Sequence, residues 1–216
     1  ILSVVVLYYK KFFPLTNWKF YLKLLVAVTP ALAIGFVLSD TIDALLESPT
    51  TVAVTLLVGG VVLLFIDKLF NAPTIESEEK ITFKNGLTIG FWQCLALIPG
   101  MSRSAATIIG GMQQKLTRNV AAEFSFFLAV PTMLAVTCYS VFLKTYEASQ
   151  MKGYELILKS DEHIQLFLLG NVVAFVVAIL AIKFFIEIIK QYGFKPWGWY
   201  RIVVGTFLLL YFSFLK

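Results

Sequence analysis

The residues best suited to chemistry form one short polar stretch inside an otherwise apolar sequence. Residues 99–107 read Pro-Gly-Met-Ser-Arg-Ser-Ala-Ala-Thr, with apolar residues on both sides. An arginine at membrane depth costs about 3 kcal/mol or more and commonly marks a functional site. Irregular backbone at that depth needs protein or a water-filled cavity around it. The stretch therefore predicts the tip of a re-entrant helix-loop-helix that presents an anion-binding site.

The residue types in this stretch suit a phosphate group. Gly100 permits a sharp turn, and either Ser102 or Ser104 can cap the helix that restarts there. The first N–H groups of that helix favour an anion because they carry the positive end of its dipole. Arg103 offers a planar set of donors that matches phosphate oxygens. Arg103, Ser104 and Thr107 share one helical face through their spacing of three and four, so we expect all five residues to bind phosphate.

A structural role stays open for the same side chains, with the hydroxyls joining helices and the arginine reaching the membrane interface. Glu123 lies near the start of an apolar segment, where an ionisable group needs a partner. We weigh an ion pair with Arg103 or Arg118 against a contact with the substrate through a cation. Gln93 precedes the loop, and is a candidate either to support its backbone or to join helices.

The composition is that of an integral membrane protein. The chain has 216 residues, of which 59% are hydrophobic and 14% are charged, and such a composition is typical of membrane-embedded chains. The net charge of +5 comes mostly from loop lysines and arginines. We interpret it as a signal of orientation in the membrane rather than of nucleic-acid binding.

Six segments are apolar and long enough, or nearly long enough, to cross a bilayer. They cover residues 1–13, 20–38, 51–66, 120–142, 166–189 and 199–215. The re-entrant hairpin, at about residues 83–112, lies between the third and the fourth. The sequence therefore predicts an all-α polytopic membrane protein with six transmembrane helices and a re-entrant helix-loop-helix, in a single integral membrane domain over residues 1–216.

Loop charges predict the orientation of these segments. Residues 10–23 hold four lysines and no acid, whereas residues 40–47 hold three acids and no base. The rule that positive loops stay inside makes the first loop cytoplasmic and the second external. If the hairpin enters and leaves from the cytoplasm, the alternation continues and the C-terminus lies outside.

The loop and its surroundings resemble a known family. Residues 90–107, Gly-Phe-Trp-Gln-Cys-Leu-Ala-Leu-Ile-Pro-Gly-Met-Ser-Arg-Ser-Ala-Ala-Thr, closely resemble the second signature of the bacterial undecaprenyl-diphosphate phosphatases, the bacitracin-resistance proteins. Residues 121–131, residues 178–183 and the pair Tyr200-Arg201 resemble the same family. The resemblance covers essentially the whole chain. It implies a multi-pass enzyme of the bacterial plasma membrane that removes the terminal phosphate of undecaprenyl diphosphate and so recycles the lipid carrier of cell-wall precursors.

The resemblance also implies parts that these residues do not contain. The family has an earlier re-entrant segment with paired glutamates, a Pro-Val-Ser-Ser turn and a histidine. The chain starts at Ile1 inside an apolar run, and we expect that this N-terminal segment has been removed. The resemblance assigns to that segment the catalytic base and a divalent-metal site, in which Mg²⁺ or Ca²⁺ would bridge phosphate and carboxylates. It also implies an inverted repeat, of which this chain is half, that brings two loop tips together.

The residues by themselves leave the function open among an enzyme, a transporter and a catalytically inactive binding protein of the membrane. For an enzyme, we expect Arg103 to bind the diphosphate and to stabilise charge in the transition state. Ser102 or Ser104 could act as the nucleophile, although no activating base is visible nearby. Broken helices whose dipole ends meet an anion also suit a transporter or flippase for an anionic solute or lipid phosphate. A homodimer is left open as well.

Overall fold

The computed structural model describes residues 1–13, 17–46, 48–146 and 149–214. Glu47, the third acid of the second loop, and Leu215, the predicted end of the last apolar segment, lie outside this part of the chain. The described residues are almost all helical. The helices are α1 (Leu2–Leu7), α2 (Tyr9–Phe12), α3 (Trp18–Val37), α4 (Ser39–Leu46), α5 (Pro49–Leu69), α6 (Phe83–Cys94), α7 (Arg103–Gln113), α8 (Arg118–Cys138), α9 (Gly153–Ile157), α10 (Asp161–Tyr192) and α11 (Lys195–Phe214).

Four helices of the described chain are long and apolar enough to cross a membrane. They are Trp18–Val37, Pro49–Leu69, Asp161–Tyr192 and Arg118–Leu143. The last of these is α8 together with the π-helix Tyr139–Leu143 that continues it. The prediction of an all-α membrane protein is therefore confirmed. The other two predicted segments are not among these four helices. Residues 1–13 form two short helices divided at Tyr8, and the first two turns of α11 contain the charged residues Lys195 and Arg201.

The chain divides into two compact units, of which the first comprises residues 1–16 and 129–185. This unit contains α1, α2, α9, the end of α8 and most of α10. A small antiparallel hairpin of β1 (Thr145–Tyr146) and β2 (Met151–Lys152) also belongs to it. The Ser3 hydroxyl donates to the carbonyl of Phe175 at 3.2 Å and joins α1 to α10.

The second unit comprises residues 17–128 and 186–216 and holds the candidate phosphate-binding residues of the loop. Helix α5 packs along α11, α3 packs along α6, and α6 packs against α7. Glycines allow these helices to approach closely. A Cβ on Gly60 would meet the carbonyl oxygen of Gly198 at 2.9 Å, so α5 and α11 approach closely at this point.

The loop of interest is held between two short helices of the second unit. Helix α6 begins at a capping box, in which Asn85 N–H donates to the Thr82 hydroxyl at 3.2 Å and Thr82 N–H donates to the Asn85 side chain at 2.9 Å. The Trp92 indole of α6 donates to the Gln113 side chain at the end of α7, at 2.7 Å. The bond from Trp92 to Gln113 joins the two helices on either side of the loop.

Candidate active site

The loop between α6 and α7 opens with a tight turn. Met101 N–H donates to the carbonyl of Ile98 at 3.1 Å, and Gly100 has φ of 85°. Proline at the second position and a glycine of positive φ at the third are the pattern of a type II turn. A Cβ on Gly100 would clash with the side chain of Thr55 and meet the carbonyl oxygen of Val52 at 2.6 Å. The turn therefore rests directly on α5.

Ser102 is the residue that caps α7. Its hydroxyl oxygen accepts from Ala105 N–H at 3.2 Å, and its carbonyl accepts from Ala106 N–H at 2.9 Å. Of the two serines that the sequence offered, Ser102 is thus the cap, and Arg103 is the first helical residue. The first N–H groups of a helix have no acceptor within it, so the N-terminus of α7 presents donors and a positive dipole end at the loop.

Arg103 is half-buried and is held by the neighbouring helix. Its Nη1 donates to the carbonyl of Ser125 on α8 at 3.0 Å. This bond occupies one of the five N–H donors of a guanidinium and sets the direction of the side chain. Donors of the same guanidinium remain for an anion.

Thr107 lies one turn further along α7 and is almost completely buried. Its hydroxyl and the Ser125 hydroxyl are 2.7 Å apart, with Ser125 equally buried. Arg103 and Thr107 therefore share the face of α7 that meets α8, and Thr107 contacts α8 rather than the loop. The Ser104 side chain is half-buried, and its hydroxyl has no hydrogen-bond partner among the described residues.

A second arginine reaches the loop from α11. Arg201 is 7% exposed, and its Nη2 donates to the carbonyls of Gly100 at 2.9 Å and Thr55 at 3.2 Å. The Thr55 hydroxyl lies 2.6 Å from the carbonyl oxygen of Pro99 and donates to it. Both carbonyl oxygens of the turn are thus bound from outside the loop, a feature that sequence reasoning missed. An arginine in an apolar helix, the signal that marked Arg103, also marks Arg201.

Comparison with known proteins identifies the family. The family model described as bacitracin resistance protein BacA matches residues 1–207. This chain belongs to the BacA family. Curated relatives named undecaprenyl-diphosphatase include that of Flavobacterium johnsoniae, which is 54% identical over 219 residues that cover 100% of this chain and 78% of the relative. That of Flavobacterium psychrophilum is 53% identical over 100% of this chain and 77% of the relative. One of Porphyromonas gingivalis is 46% identical over 97% of this chain and 78% of the relative. The resemblance drawn from the loop residues is confirmed.

The two supporting residues of this BacA-family chain lie on the helices beside the loop. Gln93 is 2% exposed in the last turn of α6, and Glu123 is half-buried on α8. Arg118, one of the two partners considered for Glu123, pairs with Asp67 at 2.7 Å between Nε and Oδ1. Asp67 also accepts from Phe194 N–H at 2.9 Å, so this ion pair joins the end of α5 and the start of α8 to the residue that precedes α11.

The described residues hold no cluster of metal-ligating side chains. No group of three or more His, Cys, Asp or Glu side chains in the described ranges could hold a metal ion. The chemistry that its loop supports is electrostatic: a guanidinium, a helix N-terminus and two serine hydroxyls at one place are suited to binding a phosphate group.

Proposed function

We propose that this protein hydrolyses undecaprenyl diphosphate to undecaprenyl phosphate and inorganic phosphate. Water is consumed, the bond between the bridging oxygen and the terminal phosphorus breaks, and the lipid phosphate keeps the bridging oxygen. The observation that carries the proposal is the match to the BacA family over residues 1–207, together with curated relatives named undecaprenyl-diphosphatase that are 46–54% identical to this chain. The loop supports it because its groups suit a phosphate.

Arg103 and the N-terminus of α7 are the proposed phosphate clamp. Cleavage of a phosphoric anhydride spreads negative charge over the transferred group, and positioned donors stabilise that charge. The Ser102 oxygen accepts from Ala105 N–H at 3.2 Å, which leaves its O–H free to donate to a phosphate oxygen. The Ser104 hydroxyl is the second donor. In this account Thr107 acts indirectly, because its hydroxyl holds α7 against α8.

The membrane arrangement that we propose keeps the predicted order of segments. The four long apolar helices, residues 1–13 and α11 supply six crossings, and α6 with α7 forms the re-entrant hairpin, entered from the cytoplasm. The lysines of residues 10–23 then lie inside the bacterial plasma membrane and the C-terminus lies outside. A single membrane domain over residues 1–216 and a hairpin at about residues 83–112 belong to the same proposal.

The experiment that tests the function is phosphate release from undecaprenyl diphosphate by the purified full-length protein in detergent. Hydrolysis predicts stoichiometric undecaprenyl phosphate and inorganic phosphate. The matched control is the same protein in sealed liposomes with the lipid phosphate or free phosphate outside. Uptake without release of phosphate in detergent would reject the hydrolase and support the transporter.

A further inference from the structure

We propose that Arg201 is a positioning residue for the phosphate clamp: it holds the Gly100 peptide in the orientation in which the loop can receive an anion. This inference rests on the proposed hydrolysis of undecaprenyl diphosphate. Arg201 lies on α11, 101 residues beyond Gly100 in the sequence. It therefore acts on the reaction through the backbone of the loop rather than through the substrate.

Burial of Arg201 is difficult to explain by stability. The side chain is 7% exposed, and within the described chain no acid pairs with it and its Nε has no hydrogen-bond partner. A buried charge without an ion partner is costly, and an apolar residue of similar volume commonly packs at least as well. The guanidinium instead donates hydrogen bonds to the carbonyl oxygens of Gly100 and Thr55.

Helix α5 has room for this guanidinium because residue 59 is a glycine. Gly59 lies against it, and a Cβ at Gly59 would clash with Nη2 and approach Cζ to 3.1 Å. One turn earlier on α5, Thr55 contributes both a carbonyl that accepts from Arg201 and a hydroxyl that donates to Pro99. Two helices, α5 and α11, thus converge on the backbone of a single turn.

These contacts fix the orientation of two consecutive peptides. The Thr55 hydroxyl holds the carbonyl of Pro99 at 2.6 Å, and Arg201 holds that of Gly100 at 2.9 Å. Because the C=O and N–H of a peptide point in opposite directions, rotation of the Gly100–Met101 peptide would turn the Gly100 carbonyl, an acceptor, away from Arg201 and into the loop. It would also break the bond from Met101 N–H to Ile98 that closes the turn. An acceptor beside the clamp would repel the phosphate that Arg103 attracts.

The substitution that tests this role is Gly59→Ala, because it displaces the Arg201 guanidinium without removing any functional group. Alanine favours a helix more than glycine does, and the atoms that must move are the far end of a flexible side chain. The matched control is Gly170→Ala in α10, where an added Cβ meets nothing within 4 Å. Arg201→Lys is the second variant, since it keeps the charge and loses the planar fork.

The measurements are kcat and KM for phosphate release, and hydrogen–deuterium exchange of the peptide that contains residues 98–104. We expect kcat to fall by about tenfold to 100-fold in Gly59→Ala and Arg201→Lys, as displacement of catalytic groups by about 1 Å does. KM should change less, and the loop amides should exchange faster. Gly170→Ala should match the wild type in both measurements.

The results separate this inference from the proposed function. Unchanged loop exchange in Gly59→Ala, or faster exchange with kcat within twofold of the Gly170→Ala control, would overturn the positioning role. A wild-type protein that releases no phosphate would reject the hydrolase whatever the exchange shows. In that case faster loop exchange in Gly59→Ala would still establish that Arg201 holds the loop. Unchanged exchange would reject the positioning role of Arg201 together with the hydrolase.

Discussion

The Thr107 and Ser125 hydroxyls lie 2.7 Å apart between α7 and α8, and both side chains are about 1% exposed. Ser125 also accepts from Arg103 through its carbonyl at 3.0 Å. One residue of α8 therefore fixes both the proposed phosphate ligand and the helix that carries it. The contact explains how a short helix of the loop can hold a charged side chain in one place.

Thr107→Val should destabilise the protein and reduce its activity indirectly. Valine keeps the volume but leaves the buried Ser125 hydroxyl without its partner, at a cost of about 1–3 kcal/mol. Thermal unfolding in detergent should show a lower midpoint, and phosphate release should fall at physiological temperature. Thr107→Ser, which keeps the hydroxyl, should behave as the wild type. A Thr107→Val protein of unchanged stability with a strongly raised KM would instead place Thr107 on the phosphate.

Ser102→Ala and Ser104→Ala should differ in their effects on stability. Ser102→Ala removes the cap of α7 and should cost about 1 kcal/mol of stability as well as activity. Ser104→Ala removes a hydroxyl that has no hydrogen-bond partner among the described residues, so stability should hold while kcat falls. Paired thermal unfolding and phosphate-release assays test the contrast. Equal losses of stability in both variants would contradict the assignment of the cap.

Gly100→Ala should disrupt the loop. The residue has φ of 85°, which strains any residue with a Cβ by about 1 kcal/mol or more, and the added methyl would also collide with Thr55. We expect loss of phosphate release with faster hydrogen exchange around residues 98–104. Pro99→Ala is the matched control and should retain most of the activity, because alanine adopts the φ of a proline without strain.

Phosphate release should depend on a divalent cation. A diphosphate carries several negative oxygens, and Mg²⁺ and Ca²⁺ prefer oxygen ligands. Chelation by EDTA should abolish turnover of the full-length protein, and added Mg²⁺ or Ca²⁺ should restore it. Full activity of the chelated, metal-free protein would show that phosphate release needs no divalent cation.

Much of the helical arrangement can be predicted from the sequence because long apolar runs and turn residues are local signals. The polar loop at Pro99–Gly100 and the restart of the helix near Ser102 follow from such signals. The contacts of Arg201 could not be predicted, since they depend on how α5 and α11 pack around Gly59 and Gly60. The partner of Thr107 was missed for the same reason: its spacing from Arg103 gives a helical face, but only the fold shows that this face meets Ser125.

The central claim is that Arg103 binds the phosphate that is released. The most direct measurement is phosphate release from undecaprenyl diphosphate by Arg103→Lys, beside Arg118→Lys as the matched control. The control makes the same chemical change at an arginine that pairs with Asp67 at 2.7 Å, away from the loop. The account predicts that Arg103→Lys loses about 100-fold or more in kcat/KM, because a point charge cannot replace the planar fork, while Arg118→Lys stays within a few-fold of the wild type. Near wild-type turnover by folded Arg103→Lys and Arg103→Ala proteins would contradict it.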